Sequence, residues 1–218
     1  MPICNCCVVL NLIFENRKTI VMNSEKNVGK VVLRMTISLD GFAEDSNGSV
    51  GSLYPDLDVL RESQVLRESI RDTGAVVMAW KEYAMAEDPD WFASNYEYQV
   101  PIFVLTDQLP KTHPKETGTL TFTFVVDGMI SAIQKAKAAA GGKNVTIIGS
   151  ARTSVQSIQT GLVDELHMDI IPIFLKTGFR PFDNIDNTSI RVERITVVEL
   201  PAGRTHLRFQ IIPDKSTE

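Results

Sequence analysis

Val145-Thr146-Ile147-Ile148-Gly149-Ser150-Ala151-Arg152 is the stretch on which the fold turns. Four uncharged residues, three of them large and apolar, read as a strand covered on both faces, the kind found inside a parallel sheet. Glycine ends the run, and a helical pattern follows with Ala151, Val155, Ile158 and Leu162 at spacings of three and four. A buried strand that feeds directly into a helix is the repeating unit of an α/β sheet. The turn between them admits two readings. In one, free N–H groups and the helix dipole at Gly149-Ser150-Ala151 receive a pyrophosphate, with Arg152 adding a charge-assisted contact. In the other, Ser150 simply caps the helix.

Working outward, further strands are read at 31–38, 75–78, 102–106, 121–126 and 165–173, bounded by turn residues. Leu57, Leu60, Leu66 and Ile70 lie near one stripe, which predicts a single helix over 57–70. A second helix begins at Gly128 with Asp127 as its expected cap, and Gly141-Gly142 closes it in the left-handed region. Segments 191–200 and 205–212, joined by Pro201-Ala202-Gly203-Arg204, form an expected antiparallel hairpin. The pattern predicts an α/β chain with a mixed, mostly parallel sheet and an antiparallel C-terminal pair. It divides into an extension at 1–29 and one domain at 30–218.

The bulk numbers narrow the function. The 218 residues are 44% hydrophobic and 22% charged, which suits one globular domain. Asp and Glu number 27 against 22 Lys and Arg, a net charge of −5. That balance argues against nucleic acid, whose phosphates demand a basic face. The apolar run at 3–14 is too short to span a membrane, has no basic residues before it, and shows no cleavage site after it. Cys4, Cys6 and Cys7 are read as reduced thiols of a cytoplasmic protein, because three cysteines so closely spaced make no disulfide framework. His113, His167 and His206 have no metal-ligand spacing, so no metal site is expected. A small-molecule partner remains.

Two further segments carry signals. Ser38-Leu39-Asp40-Gly41-Phe42 follows the first strand, where Asp-Gly permits a tight turn. Gly161-Leu162-Val163-Asp164-Glu165-Leu166 presents paired carboxylates at a strand start, read as a solvated or salt-bridged edge rather than acid–base machinery. Together with Gly149-Ser150 and the series Pro172, Leu175, Gly178, Arg180, Phe182, these segments resemble the dihydrofolate-reductase-like proteins. Within them, the similarity is to the reductase domain of the riboflavin-biosynthesis deaminase–reductase. It extends over about residues 30–212.

That resemblance implies a three-layer α/β/α fold, NADPH as hydride donor (NADH being the other candidate), a small heterocyclic acceptor and a homodimer. It places the cofactor over Ala79, Trp80, Lys81, Thr106, Asp107, Gly149, Ser150, Ala151 and Arg152. Asp40 is the polar group nearest the expected acceptor pocket, with solvent the other proton source. Asp56 or Asp58 falls in the region of a proton-assisting acid, and a helix cap is the other reading of Asp56. The departures fall on the cofactor side. Ala79-Trp80 replaces Gly-Arg, Glu82 and Asp107 bring carboxylates toward phosphate, and Ser150 replaces the second glycine of a pair. These changes motivate a second reading, a degenerate reductase domain that binds a nucleotide or metabolite without turnover.

Overall fold

The computed structural model describes residues 29–183, 185 and 190–213. The extension, with its cysteines and its apolar run, lies outside the described residues apart from Gly29. Eight strands form one sheet: β1 (Val31–Ser38), β2 (Thr73–Ala79), β3 (Ile102–Leu105), β4 (Phe122–Val125), β5 (Asn144–Ile148), β6 (Glu165–Ile171), β7 (Ile190–Glu199) and β8 (Thr205–Pro213). Their order is β4-β3-β2-β5-β1-β6-β8-β7. The first six run parallel, with Val31 opposite Val145 and Val32 opposite Glu165 in the centre. β8 joins β6 antiparallel and β7 joins β8 antiparallel. The mixed, mostly parallel sheet with an antiparallel C-terminal hairpin is therefore as the sequence predicts.

Strand alternation sorts the core into two halves. Val31, Leu33, Met35 and Ile37 of β1 face α5 (Met129–Ala139) and α6 (Ala151–Gln159) together with Ala75, Val77, Val145 and Ile147. Val76, Met78, Ile102 and Val104 point the other way, toward Leu66, Phe92 and Tyr98. Leu66 belongs to α2 (Gln64–Asp72) and Phe92 to α4 (Trp91–Asn95). Helices on both faces make three layers.

Several local expectations need correction. The expected helix at 57–70 is two, α1 (Leu57–Arg61) and α2, because the Ser63 hydroxyl accepts the Leu66 N–H and starts a new helix. Asp127 does not cap α5: its carboxylate accepts from Ser131 and Lys135 side chains, and Gly128 takes the cap position at φ +95°. Gly141 and Gly142 do close that helix with positive φ. Between Arg194 and Thr196 the β7–β8 register slips, leaving Ile195 as a bulge.

One part of the sheet carries charge where apolar packing would be usual. Glu165 is 2% exposed, and its carboxylate accepts from Lys30, His167 and Arg208. The paired-carboxylate segment is thus a salt-bridged strand start; Asp164, for its part, accepts the Val31 N–H at 2.7 Å. Further along, Asp169 accepts from His206 at 2.6 Å and from Arg204 at 3.3 Å. His167 Nε2 lies 2.8 Å from Glu165, while its Nδ1 is buried with no partner. Nε2 also faces the Arg208 Nε–H at 3.2 Å, so this nitrogen lies between a carboxylate and a guanidinium. Charging the ring would bury an N–H with no acceptor. Burial accordingly pushes the His167 pKa down, to about 4.

Between about pH 4 and 6.5 the unfolded chain holds a proton on the His167 ring that the folded chain lacks. Stability is therefore fully present above pH 6.5 and falls as pH drops toward 4, by a few kcal/mol at most. Urea unfolding from pH 7.5 to 4.5 should show this loss, and His167→Gln should flatten the slope in that window.

Candidate functional site

All the parallel strands end on one edge of the sheet, and the chain leaves them over a cleft of about 1120 Å³. Ala79, Trp80 and Lys81 reach it from the end of β2 and from α3 (Trp80–Tyr83). Thr106 and Asp107 come from the end of β3, and Ser150, Ala151 and Arg152 from the start of α6. The structure thus brings together eight of the nine residues expected on the cofactor side. Gly149, the ninth, sits just behind. A Cβ there would lie 2.4 Å from Thr153 Cβ, so glycine is what lets β5 turn so closely into α6.

The backbone N–H groups at that turn are already in use. Ser150 N–H donates to Glu82 Oε1 at 2.8 Å, and Ala151 N–H donates to Glu44 Oε1 at 3.0 Å. The second oxygen of Glu82 accepts the Ala79 N–H at 3.1 Å. The second oxygen of Glu44 pairs with Lys81. Two carboxylates, not the Ser150 hydroxyl, therefore satisfy the head of α6; that hydroxyl faces Thr153 Oγ1 at 3.4 Å. Both readings of the turn gave Ser150 or an external phosphate this task, and neither foresaw internal carboxylates.

Glu44 is the residue that sequence reasoning missed. It is 3% exposed and held from behind by a short bridge to Phe179, whose N–H donates to its carbonyl at 3.0 Å. Gly178 sits at φ +144°, and a Cβ on it would fall 2.0 Å from the Glu44 carbonyl oxygen. The contact needs a bare glycine. No local signal marks Glu44, because its partners lie 37 and 107 residues away. Around the rest of the cleft, Trp80, Val126, Ile130 and Phe179 offer exposed apolar surface.

The two acids expected near the chemistry do not line this cleft. Asp40 accepts from the Ser38 hydroxyl at 2.6 Å and from the N–H groups of Leu175 and Lys176 at 3.1 and 2.8 Å. The Ser38 hydroxyl holds its carboxyl below the usual range, and the two bonds from Leu175 and Lys176 clip the segment after β6 onto the turn after β1. Asp56 occupies the cap position of α1, but its carboxylate accepts no backbone N–H there. It accepts instead from the fully buried Arg204, at 2.8 Å from Nε and 2.6 Å from Nη2, and that pairing lowers its pKa. Arg204 also donates to the Leu53 carbonyl at 2.9 Å. Among the described residues no cluster of His, Cys, Asp or Glu is placed to hold a metal ion, and no helix is long and apolar enough to cross a membrane.

Comparison with known proteins gives these features a context. The family model described as the RibD C-terminal domain matches residues 29–203. Among solved structures, a putative riboflavin biosynthesis protein from Shewanella sp. PV-4 is similar at 18% identity and a TM-score of 0.65, covering 84% of this chain and 99% of that one. The riboflavin biosynthesis reductase Rib7 of Saccharomyces cerevisiae is similar at 13% identity and a TM-score of 0.54, covering 93% and 98%. Dihydrofolate reductase from Enterococcus faecalis, complexed with NADP(H), is similar at 16% identity and a TM-score of 0.52, covering 84% and 97%. These likenesses establish the dihydrofolate-reductase-like fold. No functionally curated protein matches the sequence.

The Asp56–Arg204 pair should bear weight in the fold. Asp56→Ala leaves a guanidinium buried without its main partner, and breaking such a pair costs about 3–5 kcal/mol. Urea denaturation of the variant should show that loss; a change below about 1 kcal/mol would mean the pair contributes little.

Proposed function

Because the chain belongs to the RibD C-terminal domain family, we propose that it is a reductase that takes hydride from a nicotinamide dinucleotide and passes it to a small unsaturated heterocycle. The observation that carries this reading is the strand–helix turn at Gly149-Ser150-Ala151. Its N–H groups open on the cleft and already hold anionic oxygens, those of Glu44 and Glu82. Those carboxylates stand in for phosphate oxygens, so the donor chemistry suits a pyrophosphate. In this reading Gly149, Ser150, Ala151 and Arg152 hold the pyrophosphate, and Ala79, Trp80, Lys81, Thr106 and Asp107 flank the adenosine end.

The family's cofactor, when bound, supplies the hydride. The chain's own residues orient and enclose. Trp80, Val126, Ile130 and Phe179 give flat apolar walls against which ring systems pack. Asp40 acts at a distance, by fixing the segment 171–176 against the end of β1. Water entering the open cleft delivers the proton. The electrostatics favour no strong choice of dinucleotide: Lys81 is engaged with Glu44, and Asp107 is exposed where a 2′-phosphate would meet it. Arg152 makes no ion pair among the described residues.

A second reading, binding of a nucleotide or metabolite without turnover, has one observation in its favour: the turn is already filled by carboxylates. Titration of Trp80 and Trp91 fluorescence with NADPH, NADH and flavins separates the two. Saturable quenching with nicotinamide oxidation on an acceptor panel supports the reductase, whereas quenching without oxidation supports the binding domain. We further propose that a second copy of the chain covers β7, an edge strand whose Val192, Ile195, Val197 and Val198 are 48%, 42%, 49% and 37% exposed.

Two measurements follow. NADPH should bind less than about tenfold more tightly than NADH, a difference under about 1.4 kcal/mol, and Asp107→Arg should tighten NADPH while leaving NADH nearly unchanged. A wild-type preference of about a hundredfold would place the 2′-phosphate elsewhere. Light scattering at micromolar concentration should return the mass of two chains; the mass of one would overturn the dimer.

A further inference from the structure

Three residues that line the cleft, Ala79, Ser150 and Ala151, each donate a backbone N–H to a carboxylate of the chain itself. We propose that Glu44 and Glu82 form an internal plug that competes with the diphosphate of a dinucleotide and thereby sets which ligands the cleft accepts. The proposal rests on the reading of this cleft as a nucleotide site.

The competition follows first from valence. An N–H makes one good hydrogen bond, so a phosphate oxygen can take these donors only after the carboxylates withdraw. Charge acts in the same direction. A diphosphate brought to this turn meets two carboxylates of its own sign, and one of the two cations that line the cleft, Lys81, is spent on Glu44, which leaves Arg152. A ligand without phosphate meets neither obstacle.

The two carboxylates differ in how readily they can leave. Glu44 is buried, backed by Gly178 and Phe179, and neutralised by Lys81. Glu82 stands on the four-residue α3, is only partly buried, accepts two N–H groups and, at 3.5 Å, the Thr153 hydroxyl, and makes no ion pair among the described residues. Glu82 is therefore the movable half of the plug. Its retreat alone frees two donors, and loss of charge at Glu44 would release Lys81 toward the incoming phosphate.

Glu82→Gln and Glu44→Gln test this directly. Glutamine keeps the shape but only one acceptor oxygen, so Glu82→Gln can hold one of its two N–H partners and releases the other, while Glu44→Gln can keep its bond to Ala151; far-UV circular dichroism and thermal melting verify that each variant folds. Calorimetric titrations with inorganic pyrophosphate, NADPH and adenosine are then compared across wild type, both variants and Glu82→Ala. The plug predicts that pyrophosphate and NADPH bind Glu82→Gln at least tenfold more tightly than wild type, Glu82→Ala similarly, and that adenosine is unchanged. Unchanged or weaker pyrophosphate binding by the folded variants would overturn it. So would an equal gain for adenosine, which would point to general opening of the cleft. Tighter pyrophosphate binding without nicotinamide oxidation on any acceptor leaves the plug standing and removes the reductase reading. Turnover by wild type, with no gain in the variants, does the reverse.

Discussion

Parallel pairing of β1 with β5 and β6 is the constraint on which the rest of the molecule depends. Val31, Leu33 and Ile147 are wholly buried there, and neighbouring parallel strands cannot be joined by tight turns. Each strand must be left at its C-terminal end by a chain that crosses a face of the sheet before returning. Those departures all gather on one edge. The head of α6, the short α3 and the turn after β1 meet there because the topology gives them nowhere else to go. A cleft rich in helix-end N–H groups is thus a by-product of the strand order, and its chemistry depends on which side chains answer those groups.

That dependence explains what could and could not be read from the sequence. Apolar runs such as Val145–Ile148 announced their strands, since burial on both faces leaves a compositional trace. Gly141-Gly142 announced a helix end because few other residues take positive φ there. The failures share a different cause. Ser63, Asp127, Ser150 and Asp56 all have the chemistry of a helix cap, yet only Ser63 makes the bond. The other three were decided by partners outside the cap itself: Lys135 two helical turns along, Glu82 after the neighbouring strand β2, and Arg204 from the far end of the chain. The cleft-lining residues were legible as positions after strands. The state of their N–H groups was not, because Glu44 reaches them through contacts made far away along the chain.

The charged face of the sheet shows the same interplay of partner and position. Glu165, Asp169, Arg204 and His206 are all nearly inaccessible, and each has a partner of complementary chemistry within hydrogen-bonding distance. Buried charge is tolerable only on that condition. The arrangement gives β1, β6 and β8 a directional set of contacts in addition to apolar packing. Its members reach from Lys30 at the start of β1 to Arg204 ahead of β8. On this face, among the described residues, His167 is where the accounting is incomplete, with Nδ1 left without a partner.

The bulge at Ile195 governs which side of β7 belongs to the interior. Cross-strand partners share a face, so Val192 opposite Ile211 and Val197 opposite Leu207 lie on the same side although five positions separate them. An odd separation in an unbroken strand would put them on opposite sides. The bulge absorbs the extra residue, so the strand keeps its phase on both sides of it. A chain that lost Ile195 would close into a regular ladder with every other side chain on its present face, whereas losing a residue elsewhere in β7 with the bulge kept would turn part of the strand inside out. Length variation among descendants of this sequence should therefore be tolerated at the bulge and be rare in the rest of β7.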